Sequence, residues 1–263
     1  MADARDWIAD SVVPVPLLTS SNFGLINLSM RFPEPLTAAT LLRRYKRFLA
    51  DVSLANGELV TVHTANTGSM LGCSEPGSRI WLSRSAVITR KYPYSWEITE
   101  TAERVLVGVN TALPNGLVKE AVEGGVISEL QGYDALRGEV LFGKEGSRVD
   151  LFLEGKGRPA CYVEVKNVTA AVEGVAIFPD AVTVRGSKHL RELMEMAAQG
   201  YRAVLCFCVQ RGDVTVVRPA DEIDPVYGET LRSAVRGGVE VIAYQAEVTP
   251  SAIDLRNALP VVL

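Results

Sequence analysis

Histidine is almost missing from this 263-residue chain, which has only His63 and His189. Cysteine is also scarce, and Cys73, Cys161, Cys206 and Cys208 never fall into a CxxC spacing. With so few nitrogen and sulfur ligands, a structural zinc site is not expected. Cys206 and Cys208 flank Phe207 inside an apolar run and read as reduced core residues, which suits a cytoplasmic protein. No apolar stretch approaches the roughly 18 residues of a membrane span. The N-terminus carries Asp3, Asp6 and Asp10 before the short apolar run Val12 to Leu18, unlike the basic start and longer core of an export signal. A cationic coat is absent too, since the net charge is −4, so histone-like wrapping is excluded but local basic patches are not. Neither GxSxG nor HExxH occurs, which removes support for serine-hydrolase and zinc-protease chemistry. The polar glycine loop Asn66-Thr67-Gly68-Ser69-Met70 lacks the GK[ST] ending of a triphosphate-binding loop, so no nucleotide cofactor is expected.

What is present is an ordinary globular composition, 48% hydrophobic and 22% charged, long enough for one large or two small cores. Residues 1–29 contain Pro14, Pro16, Ser20, Ser21 and Asn22 without any sustained period. A loosely ordered extension, of the kind an upstream start codon would add, is expected there. Over 30–105, short alternating runs are separated by turn signals. Phe48 to Leu54, then Ala55-Asn56-Gly57, then Leu59 to His63 is a strong hairpin pattern, and Pro76-Gly77 precedes another run at Arg79 to Leu82. This spacing predicts a small β-barrel. One stretch is ambiguous, because Leu41, Leu42, Tyr45, Phe48 and Leu49 also fit a helical stripe.

From 106 to 263 the texture changes. A strand at Val105 to Val109 precedes a short helix over Asn115 to Glu123, ended by Gly124-Gly125. Three strands are predicted at about 138–143, 147–154 and 160–168. Ser187 is then predicted to cap a helix bearing Leu190, Leu193, Met194, Ala197 and Ala198, which Gly200 closes. Tyr201 to Val209 reads as a strand buried on both faces, a second helix spans about 226–236, and a last strand runs from Val239 to Tyr244. The fold class is α/β (α+β).

The chemistry concentrates in the paired strands. Alternation sets Val149, Leu151 and Leu153 on one face and Arg148, Asp150 and Phe152 on the other. In the next strand Cys161, Val163 and Val165 oppose Tyr162, Glu164 and Lys166. A turn centred on Gly157 places Asp150 opposite Glu164, with Cβ atoms roughly 4.5–5.5 Å apart. Two carboxylates so close repel unless neutralised. A divalent cation, Mg²⁺ or Mn²⁺, would do so with the Val165 carbonyl as a further oxygen, and Lys166 would orient water or stabilise phosphate charge. The competing reading is a solvated strand face on which Lys166 and Arg148 balance two acids. A further site acid is sought in Glu120 on the short helix or Glu139 in the strand before. Arg185, Lys188 and His189 gather at a helix N-terminus, where anions are favoured. Arg43-Arg44-Tyr45-Lys46-Arg47-Phe48 interleaves cations with aromatics, as a backbone-tracking, base-stacking surface would. In both clusters an ordinary exposed polar face is the alternative.

Several segments together resemble the sugar fermentation stimulation protein A (SfsA) family: LRRYKRFLADV at 42–52, HTANTGSM at 63–70, RKYPYSW at 90–96, SRVD at 147–150, YVEVK at 162–166 and FPDAVTVRGSKHL at 178–190. The resemblance covers about residues 34–263. It implies an N-terminal OB-fold-like barrel followed by a PD-(D/E)XK nuclease-like domain with a mixed central sheet flanked by helices. It also implies DNA binding, a link to regulation of bacterial sugar-utilisation genes, and metal-dependent nuclease activity. On that motif the acid pair and lysine correspond to Asp150, Glu164 and Lys166, and the helix acid to Glu120, with Glu139 second. Val149 stands where the motif has proline. The resemblance also makes 42–52 a barrel strand. Three functions follow as expectations: a Mg²⁺-dependent DNA nuclease, a non-catalytic DNA-binding regulator, and an interaction scaffold with a vestigial site. Oligomeric state is not legible.

Overall fold

The computed structural model describes residues 30–143 and 146–263, so the expected extension at 1–29 lies outside the described residues. Chain order begins with a short strand, β1 (Met30–Arg31), which pairs antiparallel with Ala252 and Ile253 near the other end of the chain. Residues 30–31, expected in the barrel, therefore join the sheet of the second domain.

The barrel is built from β2 (Thr37–Tyr45), β3 (Leu49–Leu54), β4 (Leu59–His63), β5 (Arg79–Arg84) and β6 (Tyr94–Glu100). These strands run in the order β4-β3-β2-β5-β6, and pairing of His63 with Ser95 closes β6 onto β4. Leu41, Val52, Val62, Ile80, Leu82 and Trp96 fill the interior. The helical stripe at 41–49 is overturned. Leu41 is fully buried while Leu42 beside it is 42% exposed, which is the two-residue alternation of a strand. Lys46 and Arg47 take positive φ angles of 50° and 66°, which no helix allows, and fold β3 back on β2. The Asn56-Gly57 turn forms as expected, with Gly57 at φ 85°.

A strand outside the closed barrel, β7 (Leu106–Gly108), pairs with β6. Its Val107 also bridges Arg211, and the Gly108 amide donates to the Gln210 carbonyl, so the strand at the 105/106 boundary belongs to both domains.

The second domain continues with α1 (Pro114–Glu123), β8 (Ala135–Phe142), β9 (Ser147–Glu154), β10 (Cys161–Val168), β11 (Ala171–Val172), β12 (Val175–Phe178) and α2 (Val184–Ala198). It ends with β13 (Arg202–Val209), β14 (Val216–Pro219), α3 (Pro225–Arg236), β15 (Glu240–Val248) and β16 (Ala252–Ala258). Seven strands form one mixed sheet in the order β1-β16-β15-β13-β10-β9-β8, with β13 parallel to both β10 and β15. Leu117, Val118 and Ala121 of α1 pack with Val163, Cys206 and Tyr244 on one face. On the other face Leu190, Leu193 and Leu231 of α2 and α3 pack with Leu205 and Phe207. Each fully buried aliphatic side chain contributes about 1.5–3 kcal/mol. The small sheet β11-β12-β14 and the strand β16 were not expected.

All four cysteines are free and buried, and burial pushes the Cys206 thiol well above its ordinary range. No helix among the described residues is long and apolar enough to cross a membrane. The start of α2 departs from expectation. Thr183, not Ser187, caps it, its hydroxyl accepting from the Gly186 amide at 3.0 Å, while Ser187 is buried within the helix. Lys188 and His189 consequently lie in the second turn, where the helix dipole acts less strongly.

Candidate metal and phosphodiester site

β9 and β10 pair through Leu153–Cys161, Phe152–Tyr162 and Leu151–Val163, and there the ladder stops. The next step would set Asp150 against Glu164. Instead the Asp150 carboxyl enters the gap, and its Oδ2 accepts the Val165 amide at 2.7 Å. A side chain thus replaces a main-chain acceptor and the strands fork. Asp150 Oδ1 accepts from Asn115 Nδ2 at 2.8 Å, tying the fork to the first turn of α1.

The expected face assignment holds for β10 and fails in β9. Leu151 and Leu153 pack with α1, but Val149 joins Phe152 on the α2 side. The β8–β9 register does not shift there. Gly138 pairs with Leu151 and Val140 with Val149, while Glu139, at φ 55°, and Asp150 opposite it both drop out of the ladder, so the hairpin is locally irregular at Asp150.

Glu164 is only 2% exposed, which overturns the solvated-face reading. Its Oε1 accepts from Lys166 Nζ at 2.7 Å and is bonded to His189 Nδ1. Arg185 Nε reaches His189 Nε2 at 3.3 Å. A guanidinium can only donate, so Nε2 accepts and Nδ1 carries the proton toward Glu164. Glu164 Oε2 is buried with no hydrogen-bond partner among the described residues.

The two acids titrate in opposite directions. Burial, then the charge of Glu164, pushes the Asp150 carboxyl up to about 6 against the partial relief of its two donors. Burial works against Glu164 as well, but the His189 hydrogen bond and the Lys166 charge outweigh it and hold that carboxyl below its ordinary range. A pair split in this way is a common signature of a functional site.

Neither candidate for a further acid joins them. The charged neighbours of Glu120 are Asp254 and Glu123, and burial raises its carboxyl there. Glu139 is exposed on the edge strand β8, its carbonyl accepting from Arg148. The α1 residue at the fork is Asn115, which sequence reasoning missed. Five helical residues separate it from Glu120, about 140° of rotation and about 7.5 Å of rise, so the two cannot face one site. Its signal was its place in the first turn of a helix expected near the acids. Glu192 was also missed; it is 1% exposed, one turn beyond His189, with both carboxyl oxygens unpartnered among the described residues. Among the described residues no three His, Cys, Asp or Glu are grouped to hold a metal ion. The Asp150–Glu164 pair with its orphaned oxygen fits a cation completed by main chain and water.

The basic residues divide. His189 turns inward to Glu164, 4% exposed, rather than outward. Arg44 donates to the carbonyls of Arg47, Asn66 and Gly68 at 2.8, 3.0 and 2.8 Å and is committed to the loops. Arg43 pairs with Asp51 and lies over the Tyr45 ring. Arg47 reaches the Thr67 carbonyl at 2.9 Å, and Lys46 is exposed at the turn. Arg185 is exposed beside His189, and Lys188 is half-buried in the following turn. The domains meet where Asp180 accepts from the Ser69 hydroxyl and the Met70 amide at 2.9 and 3.0 Å. Beside this contact lies a cleft of about 280 Å³ whose walls include Arg47, Asn66, Asn167 and Thr183.

A closed OB-type barrel joined to a forked mixed sheet between helices defines a two-domain protein with an α/β second domain. Residues 42–109 match the SfsA N-terminal OB domain, and residues 112–252 match the sugar fermentation stimulation protein RE domain. The chain belongs to the sugar fermentation stimulation protein family. It is 59% identical over 234 residues to a sugar fermentation stimulation protein homolog of Geobacter sp. (strain M21), covering 89% of this chain and 100% of the relative. The homolog of Thioalkalivibrio sulfidiphilus is 59% identical over 233 residues, 88% of this chain and 98% of that one. Among solved structures, Pyrococcus furiosus SfsA in complex with Ca²⁺ superposes with a TM-score of 0.80 at 26% identity, over 89% of this chain and 98% of that one.

Proposed function

We propose that this chain is a cytoplasmic DNA-binding protein whose strand fork takes a divalent cation, Mg²⁺ or Mn²⁺, and acts on phosphodiesters. The observation that carries this reading is the buried Glu164 flanked by half-buried Asp150 and Lys166 at a fork, with Glu164 Oε2 left without a partner among the described residues. Asp150, Glu164 and the Val165 carbonyl would hold the cation, which when bound polarises phosphoryl oxygens and makes bound water acidic. The chain's own groups have separable tasks. His189, oriented by Arg185, fixes Glu164 in its ionised form. Lys166 holds a positive charge beside the acids, where charge developing on a phosphoryl group would be stabilised. Asn115 and the Val165 amide hold the Asp150 carboxyl in place. The Ca²⁺ complex of the Pyrococcus furiosus relative supports a divalent site in this fold.

The test is incubation of linear and supercoiled DNA with Mg²⁺ or Mn²⁺, comparing wild type with Asp150→Ala and Glu164→Ala, alongside calorimetric titration with Mn²⁺. Cleavage and Mn²⁺ binding that both variants lose are expected. Equal cleavage by all three proteins overturns the site. One observation favours a non-catalytic DNA-binding regulator instead: Lys166 already neutralises Glu164, and His189 hydrogen-bonds it, without any metal. That reading predicts salt-sensitive DNA binding with no cleavage and no Mn²⁺ uptake. A scaffold with a vestigial site predicts neither binding nor cleavage.

A further inference from the structure

The loop between β5 and β6 is the least covered apolar feature of the barrel. Its base is closed by the Ser85 amide donating to the Pro93 carbonyl at 2.8 Å. At its tip the Arg90 amide donates to the Val87 carbonyl at 3.1 Å, and the Val87 amide to the Ser85 hydroxyl at 3.1 Å. This tight turn presents Val87 at 61% exposure and Ile88 at 98%. The tip is therefore built, and its apolar side chains are exposed, with no packing partner among the described residues.

The surroundings are cationic. From Arg79 to Trp96 the chain carries Arg79, Arg84, Arg90 and Lys91 and no acid, although the whole chain is at −4. Strand pairing fixes where this loop lies. Leu49 pairs with His63 and His63 with Ser95. The loop, the Lys46–Phe48 turn and the loop after His63 thus share one end of the barrel. That third loop is the one whose Ser69 and Met70 grip Asp180, just ahead of the helix that brings His189 to Glu164. A long ligand lying across this end would extend toward the fork.

We propose that Val87 and Ile88 form a wedge that enters the base stack of a bound nucleic-acid duplex, with Arg84, Arg90 and Lys91 on the flanking phosphates. This rests on the nucleic-acid reading above. Two adjacent aliphatic side chains match the width of one opened base step, the way apolar wedges unstack and kink DNA. They are far short of the roughly 800 Å² that each partner buries in a stable protein interface. The cations on both flanks supply the complementary charge that a phosphate backbone on either side of the opened step requires.

The experiment uses the full chain and a duplex of about 30 base pairs carrying 2-aminopurine in one strand, labelled at its ends for energy transfer. Wild type is compared with Ile88→Ser, Val87→Ser/Ile88→Ser and the control Leu59→Ser, a 70% exposed residue elsewhere on the barrel. Wild-type binding is expected to raise 2-aminopurine fluorescence and shorten the end-to-end distance. Ile88→Ser should abolish both signals and weaken binding on the order of tenfold, leaving the dependence of affinity on salt unchanged because no cation is removed. Leu59→Ser should behave as wild type. Tight binding by wild type without unstacking, or an Ile88→Ser protein that still unstacks, overturns the wedge while leaving DNA binding intact. Absence of any wild-type binding at low salt overturns the nucleic-acid reading together with it. Ile88-dependent capture by vesicles of anionic phospholipid, with duplex binding indifferent to Ile88, assigns the tip to a membrane surface and also overturns it.

Discussion

The two halves of β10, Cys161 to Val163 and Glu164 to Val168, belong to one strand and do different work. From Cys161 to Val163 the strand is hydrogen-bonded on both edges, to β9 and to β13. From Glu164 onward it keeps β13 but leaves β9, and the vacated edge is filled by the Asp150 carboxyl. The first half is held by main-chain ladders and apolar packing. The second is held by side-chain polar contacts: Asp150 to Val165, Lys166 and His189 to Glu164. A ladder is insensitive to pH, whereas carboxyl contacts are not. The fork therefore gives up uniform stability to gather charge in a protected place, as functional sites commonly do.

The largest test of this difference is Glu164→Ala. It leaves Lys166 and His189 facing a buried space without their anion, and breaking a buried charged pair costs about 3–5 kcal/mol. Denaturant unfolding should show that loss. A cost below about 1 kcal/mol would mean that water replaces the carboxylate and that the second half is not held as described.

Asp150→Asn should move stability the other way. The Asp150 carboxyl is raised from 3.8 to about 6, so its contribution is full below about pH 4 and is lost as pH rises through 6. An uncharged asparagine is spared that loss and should gain up to about 3 kcal/mol at pH 8, with little difference at pH 4. Thermal melts at both pH values check this. The same substitution should abolish Mn²⁺ uptake, so greater stability with lost metal binding would mark the fork as functional rather than structural.

Val163→Ala, in the ladder half, should cost about 2 kcal/mol through lost packing, equally at pH 5 and pH 8. A pH-dependent cost there would erase the contrast between the halves.

Much of this was legible beforehand because period-two patterns and turn residues are local. The Asn56-Gly57 hairpin, the β9–β10 hairpin and the placing of Glu164 with Lys166 all follow from alternation. What escaped depends on direction rather than pattern. Glu139 and Asp150 leave the β8–β9 ladder together, and beyond them Val149 packs on the other face, which no alternation rule anticipates. A run such as Arg43 to Arg47 reads the same whether a guanidinium meets phosphate or, as Arg44 does, four carbonyls. His189 looked like an outward first-turn cation because the helix start was set at Ser187. Capping at Thr183 shifts the frame and turns its ring to Glu164.

The smallest expected effect is the most local. Asn115→Ala removes the donor to Asp150 Oδ1 while the Val165 amide still holds Oδ2, so the cost should be about 1 kcal/mol. The informative readout is the pH dependence. Asn115 is one of the two hydrogen bonds that favour the charged form of Asp150, and its loss should push the carboxyl further above about 6. The midpoint at which stability falls with rising pH should then move upward, and Mn²⁺ uptake should need a higher pH. An unmoved midpoint would show that burial and the charge of Glu164 alone set the Asp150 equilibrium, leaving α1 to pack against the fork without tuning it.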